Sequence, residues 1–345
     1  MIKIIKYNNT SGKNKLINFL NHRRNSNNTD IDLVNKIIKD VKKNKLKALK
    51  RYEKKYSKNI EIKLSKKKII NSIKYLDKDV KKAIDYAYER IFKFHKLQVK
   101  NFKKIKLIDK YKNKLEYKSV PIDSVGIYVP GNLPSTLLMN CIPAKIAGVR
   151  RIVLATPKIN NKLNPAVLYA AKKLGIKEIL SMGGAQAIAS LAFIQKVNKV
   201  VGPGSDITAE AKRLVYGEVG IDGIAGPSEI LVLADKKTNI NEIGTSLVGQ
   251  SEHGSESQCI LVTKNKEIIG KVKKNISQIL KNLPRKKVAI KSLKRHGLII
   301  LCKNDKQIID VANEIAPEHL ELNVSNYKKY IDHIINAGSI CIGKY

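Results

Sequence analysis

From Val125 onward the chain repeats one pattern, and this restricts its fold more than any other feature: a short β-rich run, a turn with Gly or Pro, then an Ala/Leu-rich stretch. Val125–Val129 reads as a strand, and Pro130-Gly131 leads to a helix from about Ser135 to Ala147. Ile152–Ala155 is the next strand, with a helix from Pro165 to Leu174. Residues 179–182 precede Gly183-Gly184 and a helix from Gln186 to Phe193; Lys199–Val201 precedes Gly202-Pro203-Gly204 and a helix through Ala209 to Val215. A strand covered on both faces is apolar throughout, and a crossover helix returns the chain for the next parallel strand. The Gly-rich turns follow strands and so gather at one edge of the sheet, where such folds bind ligands.

The alternation resumes with Ile230–Ala234, a helix through Ile243 and Val248, and strands at Cys259–Thr263 and Leu298–Leu301. Helices over about 264–280, 308–315 and 327–334 and a last apolar run at Ile340–Ile342 complete it. Upstream the texture is helical. Asp30 can cap a helix carrying Leu33, Val34, Ile37, Ile38 and Val41, and similar periods run through Ile69–Leu76 and Ala83–Phe94. Residues 1–30 are polar, rich in Asn and Lys, and read as a loosely held arm. The expected fold is α/β, with two Rossmann-like doubly wound domains, one inserted in the other, and an N-terminal helical arm. The expected boundaries are an arm over 1–30, a discontinuous larger domain of 31–118 plus 235–345, and an inserted domain over 119–234.

A chain of 345 residues is long enough for two domains. No run approaches a membrane span, and the N-terminus has no apolar core before a small-residue cleavage site, so the expected location is the cytoplasm. Cys141, Cys259, Cys302 and Cys341 each lie in an apolar run and read as buried, reduced thiols. The net charge of +38 invites a nucleic-acid reading. Its lysines are spread over nearly every expected surface and interleaved with Asn and Ile, which argues against a specific nucleic-acid partner; nonspecific polyanion binding at low salt is expected.

Most candidate chemistry lies between Ile221 and Gln258. Gly226-Pro227 forms a turn that presents Ser228 and Glu229 at the mouth of a buried strand. Gln250 and His253 are three apart, so on a helix they share a face; an amide oxygen and an imidazole can hold a divalent metal, and the same pair can be a solvated helix face. Further on, Pro317-Glu318-His319 offers a carboxylate and an imidazole on adjacent, divergent side chains, suited to two proton-transfer roles; the bland alternative is a helix exit. No Gly-x-Gly-x-x-Gly fingerprint is present. A dinucleotide would have to place its phosphates at Gly183-Gly184 and Gly202-Pro203-Gly204, which otherwise are tight turns.

Taken together, Ala225-Gly226-Pro227-Ser228-Glu229, Gln250-Ser251-Glu252-His253-Gly254 and Pro317-Glu318-His319-Leu320 resemble the histidinol dehydrogenase family in order and spacing. The resemblance runs from about Val34 to the last residue, and includes Ile91-x-x-Phe94-His95-x-x-Gln98, where His95 is given no catalytic part. It implies NAD- and zinc-dependent oxidation of histidinol through the aldehyde to histidine, by a cytoplasmic homodimer. It further implies His319 as base for the substrate hydroxyl, Glu318 as activator of water, Ser228 and His319 as substrate contacts, and Gln250 and His253 as ligands of zinc and substrate. Tyr128 in Tyr-Val-Pro-Gly and Gln186 in Gly-Gly-Ala-Gln match the family's cofactor contacts, with Ser205 where the family usually has Asn. Cys141 and Cys259 lack a neighbouring base and are rejected as nucleophiles.

Two departures bear on the cofactor: Ser205 offers one donor in place of an amide's two, and the loop after Gly131 is abbreviated to Asn132-Leu133-Pro134. The family's remaining zinc ligands, an Asp and a His, and a substrate-binding Glu correspond to positions beyond Gly343. The expectation is therefore that the 345-residue chain alone is inactive. Two readings stay open: the larger part of a histidinol dehydrogenase, or a decayed noncatalytic relative.

Overall fold

The computed structural model describes residues 2–8, 10–24, 30–59, 61–99, 105–159, 162–224 and 226–343. It divides into two compact units: residues 1–28 with 226–345, and residues 29–225 inserted between them.

The chain begins in the first unit with β1 (Lys3–Tyr7) and α1 (Thr10–Arg24). This corrects the expected loose arm. β1 pairs in parallel with a strand near residue 300, and Leu16 and Leu20 of α1 are buried. The lysines and asparagines around these few apolar residues hide an edge strand and its helix from a composition-based reading.

The second unit opens with three helices, α2 (Ile31–Ser57), α3 (Lys66–Lys74) and α4 (Lys78–Gln98). Asp30 caps α2 by accepting the Leu33 N–H at 2.9 Å. A hairpin follows, β2 (Ile105–Ile108) and β3 (Lys114–Tyr117). Then come β4 (Ser124–Tyr128), α5 (Pro134–Ile146), β5 (Arg151–Thr156), α6 (Pro165–Lys173), β6 (Glu178–Ser181), α7 (Gly184–Phe193), β7 (Lys199–Val201), α8 (Asp206–Val215) and β8 (Gly220–Ile221). The parallel sheet has the order β6-β5-β4-β7-β8. One core joins α2 to α7, α8 and one sheet face; the other joins α3 and α4 to α5, α6 and the opposite face.

The expected boundaries at 118/119 and 234/235 therefore do not hold. Residues 31–98 belong with the sheet of 124–221, because the apolar stripes of α2–α4 are buried against its helices and strands. Leu49 of α2 has no solvent exposure. Leu49→Ala should destabilise this unit by about 2–5 kcal/mol, the usual range for emptying a buried leucine site, read as a lower urea midpoint.

The first unit resumes with β9 (Glu229–Ala234), α9 (Ile240–Ser251), β10 (Gln258–Thr263), α10 (Lys266–Lys281), α11 (Lys286–His296) and β11 (Gly297–Cys302). It closes with α12 (Asp305–Ile315), β12 (His319–Asn323), α13 (Lys328–Ile331) and β13 (Ser339–Ile342). Its six strands run parallel in the order β1-β11-β10-β9-β12-β13. Both units are thus α/β with parallel sheets.

Candidate functional site

In the first unit the candidate residues collect at the amino edge of the sheet, opposite to the edge that parallel sheets usually use. Ser228 and Glu229 stand where β9 begins, and Glu318 and His319 where β12 begins. α9 runs back against the strand direction, so its last turn returns Gln250 to that edge, next to the start of β10. His253 lies just past the helix, its N–H bonded to the Gln250 carbonyl at 3.2 Å. Ala225, in the stretch before β9, lies outside the described residues.

Glu318 and His319 are each fixed on one side and open on the other. The Glu229 N–H donates to Glu318 Oε2 at 3.2 Å, and the Glu318 N–H donates back to Glu229 Oε2 at 3.3 Å. Each glutamate thus closes the ladder beyond the pair His319–Ile230. Arg23 of α1 neutralises Glu229 and also donates to the Pro227 and Glu256 carbonyls. His319 Nδ1 lies 2.8 Å from Ser339 Oγ, and that hydroxyl donates to the Glu318 carbonyl at 3.3 Å. A hydroxyl has one proton to give; with it on the carbonyl, Ser339 accepts Nδ1–H and leaves Nε2 unprotonated. Nε2 then faces Glu318 Oε1 at 3.8 Å, and both side chains are about half exposed. An acceptor nitrogen beside a carboxylate can handle two protons in turn.

Glu321, two residues along β12, is half-buried; burial pushes its carboxyl above the usual range, against the pull of Ser246 on α9 and of His319. Arg23, Glu229 as a partner of Glu318, Ser339 and Glu321 were all missed from sequence. Glu229 sat inside the singled-out stretch; Arg23 and Ser339 carry no local signal.

Gln250 is buried, and its amide Nε2 has no hydrogen-bond partner among the described residues. Turning the amide puts its oxygen there instead, so a ligand atom or metal at this point satisfies an otherwise orphaned group. The helix C-terminus adds partial negative charge. Yet no cluster of three or more His, Cys, Asp or Glu able to hold a metal occurs among the described residues.

In the second unit Tyr128 ends β4, Gln186 lies in the first turn of α7, and Ser205 is the N-cap of α8 with its hydroxyl making no capping bond. All three lie at the carboxyl edge, and β4 and β7 flank the point where strand order reverses. Gly202 is required there: its φ is +115°, and a Cβ would stand 2.0 Å from the Tyr128 carbonyl oxygen.

The expected phosphate cradle is corrected at Gly183, Gly184 and Gly202, whose amides are already taken. The Gly183 N–H donates to Glu53 at 3.2 Å, the Gly184 N–H to the Tyr128 hydroxyl at 3.4 Å, and the Gly202 N–H to Asp222 at 2.8 Å. Lys212 holds the same turn through the Gly202 carbonyl at 3.0 Å and an ion pair with Asp222. Helix starts without a side-chain cap remain at α5, after the short loop 131–133, and at α8. Those two can take an anion.

The cysteines behave as expected with one exception. Burial pushes the thiols of Cys141, Cys259 and Cys302 up to about 12, which leaves them inert at neutral pH, whereas Cys341 is exposed. His95 pairs with Gln98 at 2.7 Å on α4.

The family model of histidinol dehydrogenase matches residues 20–345. The chain is 52% identical to the histidinol dehydrogenase of Pelagibacter ubique, over 100% of this chain and 82% of that protein. It is 40% identical to that of Clostridium acetobutylicum, with the same coverage. The crystal structure of histidinol dehydrogenase from Elizabethkingia anophelis superposes with a TM-score of 0.92 at 34% identity, over 100% of this chain and 81% of that one. With this fold, these motifs and these relatives, the chain belongs to the histidinol dehydrogenase family.

Proposed function

We propose that the chain, once its zinc site is completed, catalyses the NAD-dependent oxidation of histidinol, through the aldehyde, to histidine in the cytoplasm. The observation that carries this reading is the Glu318–His319 pair, locked on its far sides so that a carboxylate oxygen and an imidazole nitrogen face one another at 3.8 Å. His319 Nε2 takes the proton of the substrate alcohol; NAD, when bound, would accept the hydride from its carbon. Glu318 takes a proton from the water that adds to the aldehyde; a second NAD would accept the second hydride. Ser228, at the start of β9, contacts the substrate at the same edge. Gln250 and His253 would hold zinc and the substrate; zinc bound there would polarise the oxygen under oxidation. Tyr128, Gln186 and Ser205 would contact NAD, with its phosphates at the open starts of α5 and α8.

With a completed zinc site, each histidinol should reduce two NAD, measured as NADH absorbance against histidine formed. Full turnover after exhaustive chelation would remove the zinc assignment. No turnover with zinc, NAD and histidinol all bound would favour the noncatalytic relative.

A homodimer is supported by the hairpin. Ile105 pairs with Tyr117 and Leu107 with Leu115 on one face, while Lys106 and Glu116 make an ion pair on the other. All four apolar side chains are more than half exposed. Such a face favours burial against a second copy. Leu107→Lys with Leu115→Lys should halve the mass measured by light scattering; an unchanged mass would place the interface elsewhere.

A further inference from the structure

α2 sends one carboxylate into the interior of the second unit, and no role given so far uses it. Glu53 is 1% exposed. Its Oε1 accepts the Gly183 N–H at 3.2 Å and Gln186 Nε2 at 2.8 Å. Its Oε2 is buried with no hydrogen-bond partner among the described residues. That Oε1 already accepts from the Gly183 N–H, so the Gln186 amide cannot turn its oxygen inward without setting acceptor against acceptor. The Gln186 carbonyl therefore faces away from Glu53. The Tyr128 hydroxyl oxygen is constrained in the same way: it accepts the Gly184 N–H at 3.4 Å, which leaves its own proton to donate. Burial, with the Glu53 charge nearby, pushes the Tyr128 phenol above its ordinary value and keeps that proton in place. Two polar groups are thus left with fixed and opposite polarity, one acceptor and one donor.

We propose that Glu53 is a positioning residue that fixes this pair, and that the pair reads two hydroxyls of a ribose of the dinucleotide rather than its phosphates. The inference rests on the reading that Tyr128 and Gln186 meet NAD. One hydroxyl of a ribose diol donates to Gln186 Oε1 while its neighbour accepts from Tyr128. A phosphate offers acceptors only and would meet the Gln186 oxygen unfavourably.

The test is calorimetric binding of NAD to the full chain. Gln186→Ala and Glu53→Met should each weaken binding about tenfold, the size of one lost hydrogen bond, and the double variant should be no weaker than either. Glu53→Gln keeps an acceptor oxygen and should bind NAD within about threefold of the unaltered protein. Unchanged affinity in Gln186→Ala would sink the reading that Gln186 meets NAD. A weakened Gln186→Ala beside an unaffected Glu53→Met would overturn the role of Glu53 alone. Should Glu53→Met fail to fold, NAD analogues lacking a single ribose hydroxyl decide the matter. At least one should lose about tenfold on the unaltered protein and little on Gln186→Ala; equal losses on both, or none on either, would overturn the proposal.

Discussion

His319→Gln lowers turnover by about 10²–10⁴-fold, measured on protein whose zinc site is complete, the usual range for losing a general base. Glutamine keeps a polar end that Ser339 can meet, so the start of β12 stays paired with β9 and β13. What it lacks is a nitrogen that takes up a proton from an alcohol. Substrate affinity should change little if the proposed contacts at Ser228 and the Gln250–His253 pair hold the substrate. A weaker KM with unchanged kcat would mean that His319 holds substrate and moves no proton.

Much of the fold could be read from the sequence because buried parallel strands and amphipathic helices write their periods locally. Apart from β8, which went unread, the strands and helices from Val125 to Thr263 whose two ends were expected fall within two residues of expectation. What escaped is what tertiary contacts decide. β1 is a lysine-flanked edge strand. The residues of β2 and β3 are exposed, so no burial pattern marks them. α11, rich in lysine and arginine, also went unread. β12 begins at His319 itself, where a motif was visible but its strand was not. The amphipathic stripes of α2–α4 announce that they need a sheet without saying which, and the nearer in sequence turned out to be theirs.

The candidate site divides in the same way. Glu318, His319, Gln250 and His253 stood out as residue types at useful spacings. Their supports did not, since Arg23 and Glu229 are 206 residues apart and His319 and Ser339 are joined only through the β12–β13 pairing. The cradle amides of Gly183, Gly184 and Gly202 looked open because a sequence cannot show that Glu53, Tyr128 and Asp222 already fill them.

The polypeptide of residues 1–345 should bind zinc poorly and form no NADH from histidinol. Gln250 is a neutral, weak ligand and His253 a single imidazole, whereas a catalytic zinc normally keeps three protein ligands beside its open position. Among the described residues no cluster of three or more His, Cys, Asp or Glu offers an alternative, self-sufficient site. The α9 C-terminus helps by about 0.3–1 kcal/mol, far less than an anionic carboxylate and a second imidazole would add. Zinc held by two donors is mostly water-bound, and at trace concentrations it dissociates. After dialysis against metal-depleted buffer, the zinc content measured by atomic emission should fall well below one per chain. Histidinol-dependent NADH formation should stay undetectable even with zinc in excess. Tight stoichiometric zinc together with a turnover of about one per second or more, the low end of ordinary enzyme rates, would show that further donors complete the site within this polypeptide. The first place to look would then be Glu321, the half-buried carboxyl on β12 beside Ser246 of the helix that carries Gln250.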